Sequence, residues 1–172
     1  SMISVLKGDL AKLDFDMIVC PVRRANRPAQ KVSREIFREG GKELQDQIRK
    51  LPPVESGECA AVTTQSMPCS QVILTGAPET DGDAEEKDLL ASCFWNSIGL
   101  AYDFLQNSEK ERVTIAFPCI ECESLSDEES CQTALKTIQK LFRLYPEAEP
   151  VDVAFVTRDQ NQYRILKEGL AR

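Results

Sequence analysis

Apolar residues in this chain gather into short continuous runs, separated by longer stretches in which they recur every three or four positions. The run Met17-Ile18-Val19-Cys20-Pro21-Val22, entered at Asp16 and preceded by Gly8-Asp9-Leu10, predicts a strand buried on both faces of a sheet. Ligands of open α/β sheets sit beyond the carboxyl ends of strands, so Cys20-Pro21-Val22-Arg23 is expected to line any pocket. Ile3 to Lys7 alternates and predicts a first strand, stopped at Gly8-Asp9. Ser33 to Lys50 predicts a polar helix with Ile36, Phe37, Leu44 and Ile48 near one side. Gly40-Gly41 interrupts it, at about 1 kcal/mol per glycine relative to alanine, and Pro52-Pro53 ends it.

Glu58 to Thr64 and Gln71 to Thr75 predict two further strands, and Glu79 to Asp83 an acidic turn. Leu90, Cys93, Phe94, Ser97, Ile98, Ala101, Phe104 and Leu105 then keep a helical rhythm over four turns. Arg112 to Phe117 predicts a buried strand closed by Pro118. Ser126, with Glu129 three residues on, forms a capping box opening a helix whose core row is Cys131, Ala134, Leu135, Ile138, Leu141 and Phe142. Val151 to Val156 predicts the last strand, and Asp159 opens a final helix expected to turn Tyr163, Leu166 and Leu170 inward. Strands alternating with helices imply a helix-covered, largely parallel sheet with right-handed crossovers.

At 172 residues the chain suits one domain, expected to run over residues 3–172. Ser1-Met2 resembles an expression scar, so this is expected to be one module of a longer protein. No apolar run approaches the ~20 residues of a spanning helix, so no membrane contact is expected. A net charge of −7 argues against general nucleic-acid affinity. Seven scattered cysteines without a secretion signal read as reduced thiols, implying an intracellular protein, cytoplasmic or nuclear. Histidine is absent, which removes the commonest general base and metal ligand. One C-x-x-C, Cys119 to Cys122, with no second pair is not a zinc signature, so no metal and no cofactor are expected.

The order of motifs resembles the macro domain, the ADP-ribose-recognising three-layer α/β/α sandwich with a central mixed, largely parallel sheet. Gly8-Asp9-Leu10 with Asp16 to Val19, Gly40-Gly41-Lys42-Glu43-Leu44, and Gly57-Glu58-Cys59-Ala60 through Val72-Ile73-Leu74 are similar to successive family segments. So are Leu89 to Ser97 and Ile115-Ala116-Phe117-Pro118. The departures fall where the resemblance places ligand contacts. Cys20-Pro21-Val22-Arg23 replaces an asparagine-rich strand end, Pro28 to Ser33 a glycine-rich phosphate loop and its acidic residue, and Glu121 to Glu128 a second glycine loop. Glycine lets backbone N–H groups approach a diphosphate without a Cβ in the way, and carboxylates there repel phosphate.

What the resemblance implies is a vestigial ligand site of Asp9, Leu10, Cys20, Arg23, Cys119, Glu121, Arg158 and Asp159, with no catalytic residue. Asp9 reads either as a turn residue bonding its own backbone or as a retained adenine contact. Arg158 stands where the family has an aromatic, and its plane can stack on a base. Arg23 and Ser33 occupy the places of hydrolytic residues, and neither is a general base at neutral pH. Cys20, Cys119 and Cys122 read either as small buried hydrophobes and an ordinary loop thiol or, since Cys20 and Cys119 end strands that the resemblance makes neighbours, as a thiol site reactive if nearby arginines lower a pKa there. The run Arg23, Arg24, Arg27, Lys31, Arg34 and Arg38 is either a solvated face or an anion contact. An arginine of the first loop is expected to pair with Glu121, Glu123, Asp127 or Glu128 of the second and narrow the cleft.

The functional expectation is a catalytically inactive recognition module with protein partners and weak or absent ADP-ribose binding. The alternatives are a nucleotide reader using Asp9, Arg158 and the basic run, or a de-ADP-ribosylating hydrolase using Glu121 or Glu123.

Overall fold

The computed structural model describes residues 2–79 and 83–172. Its strands are β1 (Ile3–Lys7), β2 (Met17–Arg23), β3 (Arg27–Pro28), β4 (Cys59–Thr63), β5 (Gln71–Gly76), β6 (Val113–Phe117) and β7 (Val151–Thr157). Its helices are α1 (Lys31–Arg49), α2 (Asp83–Gln106), α3 (Asp127–Leu144) and α4 (Gln160–Leu170). The acidic turn expected at 79–83 falls largely on residues 80–82, and the scar partly on residue 1, both outside the described residues.

The strands form one sheet in the order β1-β7-β6-β2-β5-β4, with β3 paired to β2. Every pairing along that order is parallel except β4 with β5, and β3 is antiparallel to β2. Side chains alternate across β2: Met17 and Val19 pack towards α2 and α3, whereas Ile18, Cys20 and Val22 pack towards α1. Both sheet faces are therefore covered, which is why β2 is apolar without interruption. On the α2 side, Phe94, Phe117 and Phe155 form a ring cluster with centroids 4.9 and 6.0 Å apart.

Local signals account for the element ends. The capping box of α3 is formed, with Ser126 Oγ accepting from Glu129 N and the Glu129 carboxylate accepting from Ser126 N. Helix α1 is broken at Gly41, whose φ of 61° and ψ of −151° lie outside the helical region. In α4 the expected inward row holds at Leu166, which Ile165 joins in the core, while Tyr163 and Leu170 pack half-buried against its margin. Tyr163 places its ring under Lys7 and Lys167, whose ammonium groups lie 4.8 and 5.6 Å from the centroid.

The pairing of β2 with β6 stops at Ile18 and Ala116. Pro21 lies beyond that point, where its missing N–H removes no bond to β6, and its carbonyl accepts from Ala29 N at 3.1 Å and Ser33 Oγ at 2.6 Å. Past this fork, β2 turns into the hairpin with β3.

Candidate functional site

Beyond the carboxyl ends of β1, β6 and β7 lies a cavity of about 340 Å³. Gly8 and Leu10 form one wall, Cys119 and Glu121 another, and Arg158 and Asp159 a third; the first turn of α1 closes it with Lys31 and Glu35. The N-terminal N–H groups of α1 at this wall favour an anion. The surrounding side chains are mixed in charge, with Lys31 and Arg158 against Glu35, Glu121 and Asp159.

The residue that defines the cleft is Gln30. It occupies the N-cap position of α1, yet its side chain makes no bond to that helix. Its Nε2 donates to the Cys119 carbonyl at 2.8 Å, and its Oε1 accepts from Glu121 N at 3.0 Å. A buried neutral amide, 7% exposed, thereby ties the β2–α1 segment to the β6–α3 loop. A second backbone donor of that loop, Ser124 N, is taken by the carboxylate of Glu86 at 3.1 Å, itself 1% exposed.

The other sequence-derived candidates divide sharply. Leu10, Cys119, Glu121, Arg158 and Asp159 come together around the cavity. Asp9 stays out of its lining and caps a 3₁₀ turn, Leu10–Lys12, by accepting from Ala11 N at 3.2 Å. Asp159 lines the wall while capping α4, accepting from Gln162 N at 2.8 Å. Arg158 is held across the rim by Glu35, with Nη2 2.7 Å from Oε2, so its guanidinium is already engaged by a carboxylate. Arg23 lines a separate, smaller space of about 140 Å³ with Val22 and Glu79.

Three expectations are corrected. Cys20 is not part of the cleft lining: it is 0% exposed in the core beneath α1, because alternation along β2 places it on the sheet face that α1 covers. Its thiol is pushed up to about 12 by burial. Cys119 Sγ lies 3.8 Å from the sulfur of Cys131; this contact and burial raise the Cys119 thiol well above its usual range. Arg23 does act to lower the Cys122 thiol, but burial and Glu86 outweigh it and Cys122 rises to about 12. The arginine–carboxylate latch is also absent among the described residues. Arg23 and Arg24 approach Glu79, each at 3.9 Å, and Gln30 spans the loops instead.

The macro domain profile matches residues 22–134. The chain belongs to the macro domain family. A macro domain-containing protein of Listeria monocytogenes is 26% identical over 173 residues, covering 96% of this chain and 95% of that one. An ADP-ribose glycohydrolase of Xenopus laevis is 30% identical over 145 residues, covering 82% of this macro domain but 33% of the relative. The Trypanosoma brucei macrodomain solved in complex with ADP-ribose superposes with a TM-score of 0.81 at 18% identity, covering 98% of this chain and 68% of that one. Among the described residues no helix is long and apolar enough to cross a membrane, and no group of three His, Cys, Asp or Glu is placed to hold a metal ion.

Sequence reasoning missed Gln30 and Glu35, which line the macro domain's cleft, and Glu86, which holds the β6–α3 loop. Gln30 follows Pro28 at the mouth of a predicted helix, a position that suggests a cap but not a reach across a cleft. Glu86 carries no sequence mark at all, since a carboxylate early in a helix ordinarily favours the dipole from the surface.

Proposed function

We propose that this macro domain is a non-catalytic recognition module of an intracellular protein, engaging protein partners and binding ADP-ribose weakly or not at all. The observation that carries the reading is the Gln30 bridge. The backbone donors that a diphosphate would need, Glu121 N and Ser124 N, already bond Gln30 and Glu86. A ligand must break those bonds and displace a buried side chain before gaining its own. Losing several charge-assisted hydrogen bonds at roughly 1.5–3 kcal/mol each moves a micromolar affinity past millimolar. Ser33, in the place of a hydrolytic acid, is 0% exposed and spends its hydroxyl on the Pro21 carbonyl, which supports the non-catalytic part. Calorimetry with ADP-ribose tests the reading: no saturable heat is expected, and a Kd at or below ~10 µM overturns it.

Two second readings each have one observation in favour. The cavity of about 340 Å³ flanked by Lys31 and Arg158 favours a nucleotide reader, which the same titration detects. Glu121 at the cavity wall favours a hydrolase like the relative from Xenopus laevis. Release of ADP-ribose from a modified protein, abolished by Glu121→Gln, would establish that activity.

A further inference from the structure

A larger cavity, of about 610 Å³, lies where the outer side of α2 meets the end of α3 and the 3₁₀ turn Pro146–Ala148. It shares no lining residue with the cleft. Its walls carry three aromatic rings, Trp95, Tyr102 and Tyr145. Trp95 and Tyr102 are seven residues apart on α2, two turns along one face. The Trp95 and Tyr145 rings meet edge to face, with centroids 5.9 Å apart and planes at 77°. Buried Ile98 and Leu141 supply an aliphatic floor. Three exposed carboxylates, Glu58, Asp103 and Glu147, also face the cavity, and no lysine or arginine is part of its lining.

This composition selects its ligand. Ring faces attract cations through the quadrupole, most strongly for tryptophan and where water is excluded. Carboxylates without basic neighbours add a field of the same preference. An unmodified ammonium is strongly hydrated and resists leaving water. An alkylated ammonium sheds water easily and offers methyl surface to the rings and floor. The cavity exceeds one side chain in size, and Leu144, 57% exposed beside Tyr145, offers apolar surface to flanking residues.

We propose that this groove binds a peptide through a methylated lysine, its ammonium against Trp95 and Tyr145 and its charge balanced by Asp103 and Glu147. The site is independent of the cleft and stands whether or not ADP-ribose binds.

Trp95 is the single tryptophan, so intrinsic fluorescence reads this groove directly. The intact chain is titrated with a short peptide carrying trimethyllysine, with the carbon isostere whose quaternary nitrogen is replaced by carbon, and with tetramethylammonium. A saturable signal is expected for the first peptide, with the isostere weaker by about tenfold. Tyr145→Leu and Asp103→Asn, both at exposed positions, are each expected to weaken binding by about three- to tenfold with an unchanged melting temperature. No signal up to millimolar peptide, or equal binding of the neutral isostere, overturns the proposal. Tetramethylammonium binding as tightly as the peptide overturns the peptide as occupant, and so does a ligand-free signal that rises with protein concentration, which marks a second copy in the groove.

Discussion

Gln30 shows how one side chain can decide what a cleft holds. Its amide satisfies a donor and an acceptor on the opposite loop, which a charged residue of either sign could not do. Gln30→Ala leaves Cys119 O and Glu121 N to water and is expected to cost about 1–2 kcal/mol, read from the shift in urea midpoint. An unchanged midpoint would mean the bridge contributes nothing to the fold. The cysteines obey the same logic of burial. Cys20 and Cys93 have thiols raised from 9.0 to about 12, chiefly by desolvation. A group whose folded pKa lies above its unfolded value contributes stability that is intact below pH 9 and lost as pH climbs towards 12. The urea midpoint is therefore expected to fall from pH 9 upward, with a shallower decline in Cys20→Ala. Equal slopes in wild type and variant would exclude Cys20 as a source of the alkaline loss.

At the scale of elements, the β2–β3 hairpin is the part furthest from its sequence signals. Arg27 N bonds the Arg24 carbonyl at 3.2 Å, and Ala25 and Asn26 between them have φ of 54° and 59°. Such a turn ordinarily takes Asn-Gly or Asp-Gly, because a Cβ costs about 1–2 kcal/mol in the left-handed region. Here Asn26 holds it in place, donating to Pro52 O at 3.1 Å and accepting from Val54 N at 2.8 Å. Ala25→Gly relieves the strain against a glycine entropy cost of roughly 0.5–1 kcal/mol and is expected to raise stability by about 0.5–1 kcal/mol; a lower melting temperature would contradict it. This hairpin marks the limit of what the sequence made legible. The buried strands and capped helices were readable because periodicity, Ser126 with Glu129, and the prolines each act within a few residues. The hairpin, the Gln30 bridge and the Glu86 bond were not, because their partners stand 26 to 91 residues away and no local pattern encodes the pairing. The charge-based latch failed for a related reason. Opposite charges on two exposed loops attract only weakly, about 0–1 kcal/mol, whereas a buried amide with both bonds made excludes water from the same space.

At the scale of the whole molecule, the sheet order sets two regions apart. The cleft gathers loops from β1, β6, β7 and α1, while the aromatic groove is built on α2 and α3, so each can be altered without the other. The edge position of β1 has a separate outcome, in time. Its one strand neighbour among the described residues is β7, and Met2 N bonds Asp152 Oδ1 across 150 residues of chain. Closing so long a loop is entropically costly until the intervening sheet exists to receive it. Pulse-labelled hydrogen exchange during refolding is expected to protect β2, β5 and β4 before β1; simultaneous protection of all four would rule out this order. On a ribosome adding roughly 5–20 residues per second, Ile3–Lys7 is made roughly 8–30 s before its partner β7. Throughout that interval the strand lacks the sheet neighbour that buries Val5, which makes this segment a natural point of engagement for chaperones.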